Sequence, residues 1–179
     1  MQQLKLFKTP KNFRGKNAVF VQLWWFTQAI FINTSPQFMY GWRRFVLRLF
    51  GAEIGKKVII RPSVKITYPW KVKIGDYSWI GDDVVLYSLG EIEIGENTVI
   101  SQKSYICTGS HDMLSEDFTI FNKKITIKDG CWIATDVFVA PGVTIENNVV
   151  VGARSSVYHN LNKNKVYIGN PAKPIKNRF

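Results

Sequence analysis

Residues 127–157 read IKDGCW-IATDVF-VAPGVT-IENNVV-VGARSS-V, with an aliphatic side chain returning every six residues at Ile127, Ile133, Val139, Ile145, Val151 and Val157. The same step runs upstream through Ile54, Ile60 and Ile66. After a two-residue slip it resumes at Ile74, Ile80 and Leu86, and after another at Ile94, Ile100 and Ile106. A small residue often follows the aliphatic, as at Gly55, Gly75, Gly81, Gly95, Ala134, Ala140 and Gly152. Another small or β-branched residue comes four positions after it, as at Val58, Ser78, Thr98, Cys131 and Ser155. A six-residue step matches no helical period, and simple alternation would not keep returning glycine after isoleucine. The pattern predicts a parallel β-helix. Each hexapeptide supplies one short strand and a tight turn, and three make a triangular coil whose aliphatics point inward and stack. The small residue is expected at a crowded corner where a left-handed backbone favours glycine.

The interruption is as informative as the repeat. Ile106 and Ile127 are 21 positions apart, where one further coil would need about 18–20 residues. Yet Thr108–Lys124 is polar, lacks inward aliphatics at the right step and contains His111. It is expected to leave the solenoid as a protruding loop, the place where function concentrates.

Residues 1–52 have a different character. Ala18–Ile32 is apolar and aromatic, and Ser35-Pro36 reads as a helix N-cap followed by proline at the first helical position. A second helix is expected to run to about Phe50, with Gly51 just past its end. The pair either caps the solenoid's open end or lies in a membrane interface. A basic stretch before an apolar one imitates a signal peptide, but Gln22 and Gln28 interrupt it and no small-x-small cleavage site follows. The expected fold is therefore mainly β: a left-handed parallel β-helix over 53–158 with loop 108–124, a helical segment over 1–52 and a basic tail over 159–179.

Among the 179 residues, 46% hydrophobic and 21% charged residues exclude global disorder. No apolar run approaches the roughly 20 residues a spanning helix needs. Two cysteines are too few for a disulfide scaffold and fit a reducing, cytoplasmic compartment. Two histidines cannot build a three-histidine metal site, so no metal is expected. The net charge of +11 is uneven: residues 1–52 hold eight basic and no acidic residues, and residues 159–179 hold five and none. A near-neutral middle between basic ends points to an anionic partner, such as a phosphate-rich cofactor or a membrane surface. Nothing but net charge suggests nucleic acid, and no motif for it is present.

From Ile54 onward the chain resembles the hexapeptide-repeat acyltransferases, in the branch of the galactoside and xenobiotic acetyltransferases. The motifs that carry this are Thr-Gly-Ser-His-Asp at 108–112, Pro-Gly-Val-Thr-Ile at 141–145, Val-Gly-Ala-Arg-Ser at 151–155 and Gly-Asn-Pro-Ala-Lys at 169–173. Tyr-Gly-Trp-Arg-Arg at 40–44, Ile-Arg-Pro-Ser-Val at 60–64, Tyr-Pro-Trp-Lys-Val at 68–72 and Trp-Ile-Gly-Asp-Asp at 79–83 are similar to acetyltransferases of colanic-acid and other bacterial exopolysaccharide clusters. The resemblance implies acetyl transfer from acetyl-CoA to a sugar hydroxyl, in a homotrimer with sites between neighbouring solenoids.

His111 matches the family's catalytic histidine. A sugar hydroxyl is a poor nucleophile until a base takes its proton, a task suited to imidazole. Asp112 is expected to orient it through a ring nitrogen. The resemblance puts Trp132, Thr135, Ala153 and Ser155 beside the cofactor's pantetheine arm. It gives Gly169, Asn170 and Pro171 the turn that brings Lys173 and Lys176 to the phosphates, and leaves His159 as a further contact. The acceptor-orienting Asn of the galactoside enzymes corresponds to Gly81 here, with Asp82 and Asp83 beside it as candidate sugar ligands. Cys107 and Cys131 read as small hydrophobes rather than acyl-carrying thiols. Two other functions fit the same residues: N-acetylation of an amino sugar, and a non-catalytic trimeric scaffold. Peripheral membrane contact through the N-terminal segment is a further expectation.

Overall fold

The computed structural model describes residues 2–179. Short parallel strands stack in three sheets that form the faces of a triangular solenoid. The first face holds Glu53–Ile54, Val72–Ile74, Ile92–Ile94, Ile125–Ile127 and Thr144–Ile145; the second begins at Ile59–Ile60 and the third at Lys65–Ile66. The predicted stacks appear in register. Ile54, Ile74, Ile94, Ile127 and Ile145 pair in turn, as do Ile60, Ile80, Ile100, Ile133 and Val151. Ile66, Leu86, Ile106, Val139 and Val157 make the third column. All fifteen inward positions are buried.

The polar residues of the second small position are buried too, and each is satisfied by the neighbouring coil. The Ser78 hydroxyl donates to the Gly95 carbonyl at 2.7 Å and accepts from the Thr98 amide at 3.0 Å; Thr98 repeats this with Lys128 and Cys131.

The corner glycines have a different cause from the expected one. Gly55, Gly75, Gly81 and Gly95 do not have positive φ; the left-handed residues come two positions later, at Lys57, Tyr77, Asp83 and Asn97. What demands glycine is the next coil's backbone. A Cβ on Gly75 would sit 2.6 Å from the Glu96 nitrogen, and one on Gly95 would sit 2.7 Å from that of Asp129.

The solenoid continues past Val157, where the sequence pattern ends. Leu161 bridges Ile145, and Lys165–Ile168 adds another parallel strand to the second face. Lys173–Asn177 then folds back antiparallel on that strand and closes the sheet.

At the other end, helix α1 (Ala18–Thr27) runs through a π-turn (Gln28–Ile32), and helix α2 (Tyr40–Leu49) follows. Asn17 caps α1 through the Phe20 amide at 2.9 Å, and Gly51 with φ of +87° follows α2 as expected. Ser35 is not the cap of α2, which starts five residues later. Its hydroxyl instead accepts from Arg43 at 2.8 Å and donates to the Ile32 carbonyl. The helices close the first coil on all three faces. Arg48 donates to the Ile54 and Gly55 carbonyls, Arg44 to Val58 and the buried Arg43 to Ile60 at 2.6 Å. On the third face the Trp24 indole donates to the Ile66 carbonyl, and Gln28 accepts from the Ile66 amide. An exposed sheet edge is a template for unwanted pairing; here its acceptors are taken by side chains. The capping alternative is what the structure shows for the inner side of the helices.

Candidate active site

Thr108–Lys124 is a hairpin thrown out at the corner between the third and first faces. Gly109–His111 pairs antiparallel with Ile120–Asn122, so it is an excursion and not a further coil. Its tip is held by Asp117, which accepts from the Ser115 and Thr119 hydroxyls at 2.9 and 2.6 Å. The Thr119 and Ser115 hydroxyls also pull its carboxyl pKa down.

His111 is half-buried at the end of the first hairpin strand. Its Nδ1 lies 2.8 Å from the Phe118 carbonyl oxygen. The Phe118 ring stacks on the imidazole, 4.0 Å between centroids and 8° from parallel. Phe7 approaches at 5.9 Å, tilted by 51°. A carbonyl only accepts, so Nδ1 carries a proton here, and in the neutral form of the ring Nε2 is the nitrogen with the free lone pair. This is the role expected of Asp112, and Asp112 does not fill it. Its carboxylate turns back to accept from the Leu114 amide at 2.9 Å, as short acidic side chains in turns do. His111 also lines a hollow of about 520 Å³ with Phe121, Lys123 and the hairpin tip.

Phe7 belongs to an N-terminal strap laid along this corner. The Gln3 amide donates to the Glu116 carbonyl at 2.7 Å. Further down, Lys71 Nζ donates to the Phe13 carbonyl at 2.7 Å and to that of Leu89, and the Trp70 indole donates to the Arg14 carbonyl at 2.8 Å. Burial lowers the Lys71 pKa. Neither Phe7 nor Phe118 carries a sequence signal. One acts through a carbonyl that any residue has, the other through a contact between chain segments over a hundred residues apart.

The other sequence-predicted residues divide among two places. Trp132, Val150, Val166 and Lys176 are successive cross-strand partners on the second face, forming one row on its outer surface. Side chains so paired share a side of the sheet. Trp132 and Lys176 are exposed, and so is Lys173. Thr135 and Ala153 lie at the next corner, between the second and third faces, where the Arg154 amide donates to the Thr135 carbonyl. Ala153 is exposed there, but Ser155 is buried and its hydroxyl accepts from the Gly169 amide at 3.0 Å. Ser155 therefore holds the turn before Lys173 and is not open to a cofactor. His159 is exposed.

Asp82 and Asp83 are on that same second corner. Asp82 is occupied: Arg61, one coil earlier, donates to it at 2.9 Å, and Ser63 donates to its other oxygen at 3.3 Å. Stacked corners create this pairing, in which the Asp82 side chain stays about half exposed; Asp83 is exposed. A Cβ at Gly81 would sit 2.8 Å from the Gln102 nitrogen, so this corner has no room for an asparagine in its present form. Around each coil, the corner of His111 and that of Thr135, Ala153 and Asp83 are separated by the whole third face.

Both thiols are poor nucleophiles. Burial raises Cys107 and pushes Cys131 up to about 11. Each donates to a carbonyl at 3.1 Å, Cys107 to Gly109 and Cys131 to Glu146. Among the described residues no group of three or more metal-ligating side chains converges.

A parallel solenoid with a histidine-bearing hairpin leads to a family. The model "Bacterial transferase hexapeptide (six repeats)" matches residues 124–159. An Escherichia coli (strain K12) protein, "Putative colanic acid biosynthesis acetyltransferase WcaF", is 64% identical over 178 residues, covering 99% of this chain and 98% of its own length. The crystal structure of a maltose O-acetyltransferase from Clostridium difficile 630 superposes with a TM-score of 0.82 at 26% identity, over 90% of this chain and 89% of that one. A Vibrio cholerae hexapeptide-repeat acetyltransferase, solved with acetyl coenzyme A, shares the fold at a TM-score of 0.83 and 24% identity, covering 92% of each chain. The chain belongs to the hexapeptide-repeat acetyltransferases.

Proposed function

We propose that this acetyltransferase is an O-acetyltransferase. It moves an acetyl group from acetyl-CoA to a sugar hydroxyl in bacterial surface polysaccharide biosynthesis, by direct transfer with His111 as general base. The observation that carries this reading is the 2.8 Å contact between His111 Nδ1 and the Phe118 carbonyl, which leaves Nε2 as the acceptor of a proton. The hydroxyl proton passes to Nε2 as the sugar oxygen bonds to the acetyl carbonyl carbon. The carbon–sulfur bond then breaks, and the imidazolium gives its proton to the leaving sulfur. No thiol of the chain is needed, in keeping with the raised pKa values of Cys107 and Cys131.

The donor fits the outer row of the second face. Trp132 offers an apolar plane, Ala153 a small side chain at the adjoining corner, and Lys173 and Lys176 exposed ammonium groups for phosphates. Lysine attracts phosphate as a point charge without arginine's bidentate fork. His111 and Ala153 stand at different corners of one chain, which supports a homotrimer whose sites lie between neighbouring solenoids. Two free cysteines fit a cytoplasmic enzyme.

Calorimetric titration with acetyl-CoA at low and high salt tests the donor. Saturation near one per chain is expected. Lys173→Ala/Lys176→Ala should weaken binding and flatten its salt dependence. A panel of sugars and amino sugars then separates hydroxyl from amine acceptors, with His111→Ala as control. No acetyl-CoA binding by the folded protein overturns the reading, and turnover on amines alone overturns its O-specificity.

A further inference from the structure

The two slips in the six-residue step fall at one edge of the solenoid. Residues 67–71 and 88–91 join the third face to the first there, two coils and one coil before the hairpin that leaves by the same corner. The first of these enlarged corners holds Tyr68, Pro69, Trp70 and Lys71, a motif that the transfer chemistry leaves unexplained. The two corners are tied to each other. The Ser88 hydroxyl accepts from the Tyr68 amide at 2.8 Å and donates to the Tyr68 carbonyl at 3.0 Å. Lys71 adds a second tie: its ammonium donates to the Leu89 carbonyl and, at 2.7 Å, to the Phe13 carbonyl of the strap. The Tyr68 and Phe13 rings face it at 5.4 and 5.7 Å. Burial outweighs the charge of Glu91 and lowers its pKa. Burying an ammonium against carbonyls costs stability that an apolar side chain would not, so what the charge supplies is position.

Both of its partners lead to His111. Leu89 is buried against the root of the hairpin, where a Cβ on Gly109 would meet its Cδ1 at 2.6 Å. The apolar cluster of Leu89 also takes in Ile120, the cross-strand partner of His111. The strap is fastened at two places. Lys71 holds the Phe13 carbonyl and the Trp70 indole holds that of Arg14, while the Gln3 amide holds the hairpin tip at the Glu116 carbonyl. Phe7 lies between these anchors and faces the imidazole.

We propose that Lys71 is a positioning residue for His111, joining the strap to the corner beneath the hairpin so that Phe7 and Ile120 fix where the imidazole stands. Its catalytic consequence rests on the reading of His111 as the base, but its geometry does not. The chain has two histidines, and the exposed His159 serves as an internal control. Nitrogen NMR of the full-length protein labelled with ¹⁵N-histidine therefore reads the His111 ring directly. Wild type should show one ring with its proton fixed on Nδ1. In Lys71→Met the two His111 nitrogens should move toward a common, averaged shift while those of His159 stay in place. Its kcat should fall about tenfold, with the acetyl-CoA KM within about twofold and the melting midpoint within about 3 °C of wild type. Trp70→Phe keeps the ring on Tyr68 and loses only the indole donor to Arg14. It should move the same signals by less, and it carries the test if Lys71→Met does not fold. Unchanged His111 signals in the folded variant overturn the proposal. So does turnover that falls only in proportion to the folded fraction, because Lys71 then serves stability alone. Shifted His111 signals with unchanged kcat would keep the positioning and overturn His111 as the base.

Discussion

In the solenoid wall, Ile100 is held by its equivalents Ile80 and Ile133 in the coils on either side, and the same arrangement recurs along each column. In the hairpin, His111 is held by contacts that occur once: the Phe118 carbonyl and the Phe118 and Phe7 rings. The wall is redundant, so its residues carry stability; the hairpin is not, so its residues carry position. Substitutions in the two regions should therefore fail in different measurements.

The largest effect is expected at the hairpin's centre. His111→Ala should lower kcat by 10²- to 10⁴-fold, roughly the worth of a general base, with a melting midpoint within about 3 °C of wild type. If melting collapses as well, the distinction between wall and hairpin fails at this residue. In the wall, Ile100→Ala should destabilise by about 2–5 kcal/mol through the cavity it leaves. Denaturant titration reads this, and kcat per folded molecule should stay near wild type. Phe7→Ala tests whether the strap positions the imidazole. A roughly fivefold fall in kcat/KM with unchanged melting is expected, and an unchanged rate would make Phe7 a bystander.

The smallest effects are at residues the hairpin turns away. Asp112→Ala should leave kcat within about twofold and its pH profile unaltered, because its carboxylate accepts from the Leu114 amide. A displaced profile would restore it as the orienting group. The raised pKa of Cys107 keeps it a thiol at neutral pH. Alkylation by iodoacetamide should be slow there and speed up as pH rises, and Cys107→Ala should retain wild-type turnover within about twofold. A large loss would bring a covalent route back.

The ends of the solenoid show why some features were legible and others were not. Arg43, Arg44 and Arg48 read in sequence as cations awaiting an anion, yet they donate to carbonyls of the first coil. Carbonyls leave no trace in residue type, so nothing in the sequence could pair them with these guanidinium groups. The corner glycines were visible but their cause was not, since the next coil's backbone enters only on stacking. At the other end, Lys165–Ile168 and Lys173–Asn177 close the sheet through backbone hydrogen bonds and break the six-residue step that marks the coils.

The amino-acid sequence by itself determined the three-sided solenoid, the register of its stacks and the point where His111 leaves it. Burial repeats with each coil, and fifteen coincident aliphatic positions leave little room for another period. Only the tertiary structure decided that Phe118 and not Asp112 orients His111, that Arg61 occupies Asp82, and that Ser155 holds a turn. Those outcomes depend on which backbone group or charge another segment brings within 3 Å. Periodicity fixes which side of the wall a residue faces; it does not encode its partner.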